Sequence, residues 1–130
     1  MRVLALDYGA ARTGVAVSDP SGTLARPLTV VERAGSDAGL RELAAIVARE
    51  AAELVVVGLP ISLDSGEHAQ AHEVRAFVTR LSAALAVPVV TYDERFTTKL
   101  AAERGGRSAL DARAAAVLLE DFLRAEERRG

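Results

Sequence analysis

RVLALDYGAARTGVAVS, the stretch at residues 2–18, holds two apolar runs separated by a short turn. The first run, Arg2–Leu6, predicts a strand that ends at Asp7, and the second run, Thr13–Ser18, predicts another strand. The residues between them, Tyr-Gly-Ala-Ala at 8–11, are typical of a tight turn because glycine tolerates backbone conformations that other residues avoid. The stretch therefore predicts a β-hairpin at the start of a sheet.

A third strand and then a change to helical spacing follow the hairpin. Residues 19–22, Asp-Pro-Ser-Gly, predict a turn, and Leu24–Glu32 predicts a strand in which Pro27 indicates an edge position or a bulge. Further on, Ser36 or Asp37 predicts the N-cap of a helix. The first three strands are thus expected to pair in antiparallel fashion.

Two helix–strand units are expected to complete the sheet. The strands Leu54–Gly58 and Val87–Tyr92 each follow a predicted helix, and a last helix is expected to begin at Asp111 after a loop over 104–108. This order predicts an α/β fold with a five-stranded mixed sheet, three antiparallel strands followed by parallel ones, covered by helices. The first two helices carry apolar residues at helical spacing, namely Leu40, Leu43, Ala44, Val47 and Ala51 in one and Val74, Phe77, Val78, Leu81 and Leu85 in the other.

Composition sets limits on the class of protein. Residues 1–130 fit one domain, and a chain of this length buries roughly two-thirds of its unfolded surface without covalent staples. The chain has no cysteine, which excludes disulfides and thiolate metal sites and favours a reducing compartment, so a cytoplasmic location is expected. Because Asp7 interrupts the first apolar run, neither a signal peptide nor a membrane span is expected there. The net charge of -2 lacks the basic excess typical of nucleic-acid binders, so such a function must rest on local charge distribution.

Three acids take comparable positions although they lie far apart in the chain. Asp7 and Glu94 follow predicted strands, and the carboxyl ends of parallel strands meet at one edge of an open sheet. Asp111 precedes Ala115 and Leu118 of an apolar helical stripe by four and seven residues, so it is expected to face the sheet. Oxygen ligands without cysteine favour Mg²⁺ or Mn²⁺ over zinc, and such ions promote phosphodiester hydrolysis. The acids therefore predict a metal site for phosphodiester chemistry.

Each of these acids also has a structural interpretation. Asp7 could be a turn residue that accepts hydrogen bonds from the amides at 9–10. Asp111 could be an N-cap or first-turn acid that the helix dipole favours. Glu94 could lie in a solvated loop, and its neighbour Asp93 is interpreted as a turn or ion-pair residue. The metal-site interpretation requires all three acids to lie close together, whereas the structural interpretations do not.

Basic residues accompany the acids. Arg12 and Arg95 each lie within a few residues of a proposed ligand, and both are expected to bind phosphates. Thr97 and Lys99, which follow Arg95 closely, complete the expected substrate-binding set.

Two histidines have the spacing of a metal-binding pair. His68 and His72 are four residues apart on a predicted helix. Measured from Val74, however, both lie off the apolar stripe, so a solvated face is expected for them.

The motifs, taken in order, resemble those of the YqgF/RuvX family, the ribonuclease H-like proteins described as pre-16S ribosomal RNA nucleases or as Holliday junction resolvases. The resemblance covers nearly the whole chain. It rests on DYGAARTGVAVSD at 7–19, VGLP at 57–60 with a following Gly66, DERFTT at 93–98, and Asp111 ahead of two alanines at 114–115.

The resemblance implies a ribonuclease H-like fold, with Asp7, Glu94 and Asp111 as catalytic acids that bind Mg²⁺ or Mn²⁺. It also implies trimming of the 5′ end of the small-subunit ribosomal RNA precursor, with ribosomal particles as partners. One departure concerns the segment before the last aspartate. Family members usually have a longer, more basic segment there than Glu103–Leu110 of this chain, which bears on substrate binding and leaves the acids themselves unchanged.

Three other functions remain open at this point. A DNA resolvase acting on four-way junctions would favour a homodimer over a monomer, since two active sites must meet paired strands. The pattern Asp7-x-Gly9 with Gly14 also resembles the phosphate-binding hairpin of actin-like ATPases and sugar kinases, which bind nucleotide between two such domains. The last possibility is a ribosome- or nucleic-acid-binding module without catalysis.

Overall fold

The computed structural model describes the backbone of residues 1–59, 66–93 and 107–129, and the side chains in these ranges except at 66–71, 93 and 107–111. Three strands come first, and helices and strands then alternate, as expected. They are β1 (Val3–Asp7), β2 (Arg12–Ser18), β3 (Ala25–Glu32), α1 (Asp37–Glu50), β4 (Leu54–Leu59), α2 (Gly66–Ala84), β5 (Val89–Asp93) and α3 (Arg107–Arg129).

The strands form one five-stranded sheet in the order β3-β2-β1-β4-β5. β1 and β2 pair antiparallel, as do β2 and β3, whereas β4 is parallel to both β1 and β5. The register of β3 against β2 shifts between Val15 and Ala16, where Ala16 lies opposite Pro27 on the edge strand. Proline cannot donate to a ladder, which explains why it sits at this irregular edge position. The mixed sheet predicted from the sequence is confirmed.

Each face of the sheet carries its own apolar core. One core lies under α1 and α2, and the other lies between the sheet and α3. Strand alternation divides β1 between them, since Leu4 and Leu6 belong to the first core and Val3 and Ala5 to the second. The same alternation assigns Asp7 to the α3 face, while Tyr8 packs against the first core.

The turn between β2 and β3 is organised by one aspartate. The backbone N–H groups of Thr23 and Leu24 each donate to Asp19 Oδ1 at 2.8 Å, and the Ser21 hydroxyl donates to Oδ2. These hydrogen bonds, with Leu24 first, hold the pKa of the Asp19 carboxyl well below its usual range. Asp19 is therefore a structural turn residue.

Helix α1 begins as expected and ends earlier. Ser36 is the N-cap, and its hydroxyl accepts from the Gly39 amide. The helix stops at Glu50, because Ala51 adopts a left-handed conformation with φ 55. Ala51 is also exposed. The prediction that Ala51 belongs to the apolar stripe of this helix is wrong, and Ile46, which is not among the predicted stripe residues, is buried.

Helix α3 begins at Arg107, so the expected start at Asp111 is wrong. The residues at 107–110, Arg-Ser-Ala-Leu, include good helix formers, and the glycine pair at 105–106 precedes them in the sequence. The expected loop over 104–108 thus holds the first residues of α3, while 104–106 lie outside the described residues. Within the described ranges, no helix combines the length and apolar character needed to cross a membrane.

Candidate functional site

The carboxyl ends of the parallel strands form one edge of the sheet. Leu6 of β1 lies opposite Val57 of β4, and Val57 lies opposite Thr91 of β5, so the three strands end at nearly the same level. Asp7 is the last residue of β1 and Asp93 the last of β5. With one strand between them, their backbones are about 10 Å apart at a spacing of about 4.8 Å per strand. This edge is where open α/β sheets place ligands.

Asp7 is partly buried at this edge, on the face that α3 covers. In the turn that follows it, Gly9 and Thr13 are bonded to each other. The Gly9 amide donates to Thr13 Oγ1 at 3.3 Å, and the Thr13 hydroxyl, which is fully buried, donates back to the Gly9 carbonyl. A Cβ on Gly9 would come within 2.3 Å of the Arg12 carbonyl oxygen, so the turn requires glycine there. The Gly9 amide therefore pairs with Thr13, whereas the turn interpretation of Asp7 assigned that amide to the aspartate.

The backbone of Asp111 lies on the sheet-facing side of α3. It is in phase with Ala115 and Leu118, both fully buried in the second core. Because the helix starts at Arg107 and has no acid in its first turn, the interpretation of Asp111 as an N-cap or first-turn acid is wrong. Its side chain lies outside the described residues. Helix capping therefore does not explain the acid at this position.

Among the predicted substrate-binding residues, the structure describes Arg12. It opens β2 and is exposed, two residues before Gly14, which pairs with Asp7 across the hairpin. Arg95, Thr97 and Lys99 lie outside the described residues, as does Glu94. The structure brings Asp7 and Arg12 to the same edge of the sheet.

No three acidic or histidine side chains in the described part of the chain are grouped closely enough to hold a metal ion. Glu94 and the side chain of Asp111 lie outside that part of the chain. His72 is exposed on α2, as expected for a solvated face, and the side chain of His68 is outside the described residues.

A cleft of about 290 Å³ lies beside Asp7 on the opposite face of the sheet, and it is not among the sites predicted from the sequence. Its lining includes Tyr8 and Phe77, whose rings stack with their centroids 4.5 Å apart. Tyr8 donates its hydroxyl to Glu73 Oε1 at 3.1 Å, and burial, followed by the bond to Glu73, raises the pKa of the Tyr8 phenol. The two rings lie far apart in the sequence, and Phe77 was expected only as a core residue. The signal that could have marked the cleft is Tyr8, an aromatic residue directly after a proposed metal ligand.

Comparison with protein families gives one match over almost the whole chain. Residues 1–125 match the model of the family described as RuvX: Holliday junction resolvase. A protein from Syntrophus aciditrophicus is 40% identical over 134 residues, covering 95% of this chain and 88% of its own. A protein from Thermobifida fusca is 43% identical over 142 residues, covering 96% of this chain and 88% of its own. Both carry the provisional name pre-16S rRNA nuclease.

Solved structures show the same fold at low sequence identity. T. thermophilus RuvC, solved in complex with a Holliday junction substrate, superposes with a TM-score of 0.62 at 19% identity, over 98% of this chain and 96% of RuvC. The likeness confirms the ribonuclease H-like fold that the sequence motifs imply.

Proposed function

The chain belongs to the RuvX family, and on that basis we propose that it is a metal-dependent nuclease that hydrolyses phosphodiester bonds. The observation that carries the proposal is the position of Asp7. It ends β1 at the carboxyl edge of the parallel strands, on the face covered by α3, the helix that carries Asp111. An acid at such a place is suited to hold a ligand, because open α/β sheets bind ligands at the carboxyl ends of their strands.

Asp7, Glu94 and Asp111 are proposed as the catalytic acids that hold Mg²⁺ or Mn²⁺. The donor set fits these ions, since it consists of carboxylate oxygens and the chain has no cysteine. When bound, such an ion supplies Lewis-acid polarisation of the phosphodiester and lowers the pKa of water. The protein supplies the ligands from separate elements, β1 and α3 among them, so that the fold itself sets their spacing.

Arg12, Arg95, Thr97 and Lys99 are proposed to hold the phosphates of the nucleic acid. Arg12 supports this role by its exposure at the same edge as Asp7. Contacts of this kind fix the position of the backbone without reading its sequence.

The proposed substrate is precursor ribosomal RNA, cleaved to form the 5′ end of the 16S species. Relatives that match nearly the whole chain carry that substrate in their names. We propose that residues 1–130 act as a single domain, as a monomer or homodimer, on ribosomal particles or free precursor RNA. The absence of cysteine fits a reducing compartment, so the cytoplasm is the proposed location.

The direct test is cleavage of a labelled precursor RNA by the purified protein. Wild type is expected to cleave with Mg²⁺ or Mn²⁺ and to stop when EDTA is added. Asp7→Asn should lose about a hundredfold in rate or more, because a ligand oxygen is replaced by an amide. Glu42→Gln, which neutralises an exposed acid on α1, is the matched control and should cleave at the wild-type rate. Equal rates for Asp7→Asn and wild type would remove the proposed mechanism.

A four-way DNA junction is the second candidate substrate, favoured by the description of the family model. A resolvase would act as a homodimer that presents two active sites. Competition between four-way DNA and precursor RNA, read together with the mass of the complex, separates the candidates. Preferential cleavage of the junction by a dimer supports the resolvase, and binding to ribosomal particles without any cleavage supports a non-catalytic module.

A further inference from the structure

The cleft beside Asp7 has the chemistry of a nucleotide site. Its lining combines an aromatic ring, Tyr8, with a carboxylate, Glu73, and two guanidinium groups, Arg33 and Arg80. Proteins that bind single-stranded nucleic acid use the same combination, because bases stack on aromatic rings and phosphates pair with cations.

Tyr8 presents a supported ring to the cleft. Phe77, only 3% exposed, stacks against Tyr8 at an interplanar angle of 29°, while Tyr8 itself stays partly exposed. The bond from Tyr8 to Glu73 fixes the ring further. A ring held from one side and from its hydroxyl loses little freedom when a base stacks on it, which favours binding.

Arg33 is a cation whose backbone is held in place by hydrogen bonds and whose charge is available. Its side chain is exposed and makes no ion pair with any residue in the part of the chain that the structure describes. Its backbone lies in the left-handed region, with φ 47. The Arg33 amide donates to the Ala11 carbonyl at 2.9 Å, and its carbonyl accepts from the Ser36 amide at 2.9 Å. The loop that carries Arg33 is thereby tied to the turn that follows Asp7.

Arg80 has a different task in the same cleft. It donates to the Gly35 carbonyl and, at 3.1 Å, to Asp37 Oδ1, so it ties α2 to the start of α1. These contacts keep the wall of the cleft in place. The ligand-binding charge of the site therefore comes from Arg33.

The cleft and the proposed metal site share one strand end. Asp7 and Tyr8 are consecutive residues, so their Cα atoms are about 3.8 Å apart, and strand alternation sends them to opposite faces of the sheet. A nucleic-acid strand bound at this edge can therefore contact residues on both faces of the sheet.

We propose that the cleft binds an unpaired nucleotide of the RNA substrate next to the scissile phosphodiester, with its base stacked on Tyr8 and its phosphate paired with Arg33. Glu73 then faces the amino groups at the edge of the base. This assignment rests on the proposed nuclease function, and it adds that the substrate carries a single-stranded segment beside the cut.

Tyrosine fluorescence tests the stacking directly, because the chain has no tryptophan and two tyrosines, Tyr8 and Tyr92. In Tyr92→Phe the emission reports Tyr8 alone, and in Tyr8→Phe it reports Tyr92 alone. The added RNA absorbs light equally in both samples. A loss of emission that both variants share is therefore due to absorption and not to stacking. With a short single-stranded oligoribonucleotide in EDTA, quenching is expected in Tyr92→Phe and not in Tyr8→Phe. Equal signals from the two variants would overturn the stacking.

Affinity measurements by fluorescence anisotropy in EDTA test the residues separately. Tyr8→Leu should weaken binding of the labelled oligoribonucleotide about tenfold, while Tyr8→Phe retains the ring and binds nearly as well as wild type. Arg33→Asn suits the left-handed backbone and should reduce the slope of log K against log salt by about 0.7, the loss of one phosphate contact. Arg41→Gln, an exposed arginine on α1, is the control and should change neither quantity. Unchanged affinity in Tyr8→Leu and an unchanged slope in Arg33→Asn would remove the site.

The two proposals fail in different ways. If RNA binds with Tyr8 quenching but is not cleaved with metal, the cleft stands and the nuclease does not. If wild type and Tyr8→Leu cleave and bind equally, the nuclease stands and the cleft does not.

Discussion

Two aspartates at strand ends are built into the molecule in different ways. Asp19 directly follows β2, and within five residues it finds two amides and a hydroxyl that satisfy its carboxylate. Asp7 ends β1 beside a turn whose Gly9 amide and Thr13 hydroxyl are paired with each other. A carboxylate that organises its own turn is explained by structure alone. Asp7 lies at the carboxyl edge of the parallel strands, where open α/β sheets place ligands, and this location favours a role for it in binding a ligand.

At the amino ends of the parallel strands, an acidic side chain again has a structural role. Glu50, at the end of α1, pairs with Arg2 at 3.1 Å and with Arg26 at 3.9 Å, and Arg2 belongs to the segment that enters β1. Acids at that edge hold the fold together. The carboxyl edge of the parallel strands is where the proposed catalytic acids arrive from separate elements.

The largest expected effect distinguishes two aspartates on the same helix. Asp111→Asn should reduce cleavage about a hundredfold or more, since it removes a proposed ligand. Asp121→Asn should stay within about threefold of wild type, because the asparagine oxygen can still accept the bond that Tyr92 donates at 2.7 Å. Steady-state cleavage rates at equal folded concentration provide the measurement. Similar losses in both variants would show that Asp111 has no specific role in cleavage.

Core substitutions should separate the two faces of the sheet. Leu119 of α3 and Leu43 of α1 are both fully buried, so truncation of either to alanine should cost about 3 kcal/mol of unfolding free energy. Leu119→Ala also loosens the helix that carries Asp111, and its cleavage rate should fall further than that of Leu43→Ala. Urea unfolding and cleavage well below the unfolding midpoint measure the two effects. Equal rates would mean that α3 packing does not position the site.

In thermal unfolding with EDTA present, substitution of Asp19 should lower the Tm more than substitution of Asp7 does. Asp19→Asn is expected to lower the Tm, because the turn loses a charged acceptor for its amides. Asp7→Asn should leave the Tm unchanged or raise it, since it removes one of several like charges proposed to share a site. If Asp7→Asn lowers the Tm as much as Asp19→Asn does, Asp7 is a structural residue.

The smallest expected effect is a pH dependence confined to Asp19. Its pKa is lowered in the folded protein, so its contribution to stability is present above the unfolded carboxyl pKa of about 3.9 and is lost as the pH falls toward the folded value. The difference in Tm between wild type and Asp19→Asn should therefore shrink as the pH falls below about 4. A difference that stays constant across this range would indicate that the charge of Asp19 plays no part.

Local patterns in the sequence predict most of this fold. The period-two runs give the hairpin, Pro27 marks the edge strand, and Ser36 marks the start of α1, because each of these signals depends on neighbouring residues alone. The apolar stripe of the last helix, with Ala115 and Leu118, is confirmed, whereas the helix begins at Arg107, four residues before the expected start.

Tertiary context decides what the sequence does not show. The left-handed conformation of Ala51 ends α1 where alanine would ordinarily continue a helix. The Tyr8–Phe77 stack joins two elements that no periodicity relates, so the cleft appears only once the chain has folded. The proposed roles of Glu94, Arg95, Thr97 and Lys99 remain predictions of the sequence, because these residues lie outside the described ranges.

Carboxylates from separate elements are proposed to hold divalent cations at the carboxyl edge of the parallel strands. Anomalous diffraction from crystals soaked in Mn²⁺ would locate these cations, with Asp7→Asn crystals treated in the same way for comparison. Wild type is expected to show one or two manganese peaks in contact with Asp7, Glu94 and Asp111, and Asp7→Asn should lose or weaken them. Manganese absent from these carboxylates at saturating concentration, or bound equally well in Asp7→Asn, would rule out the proposed metal site.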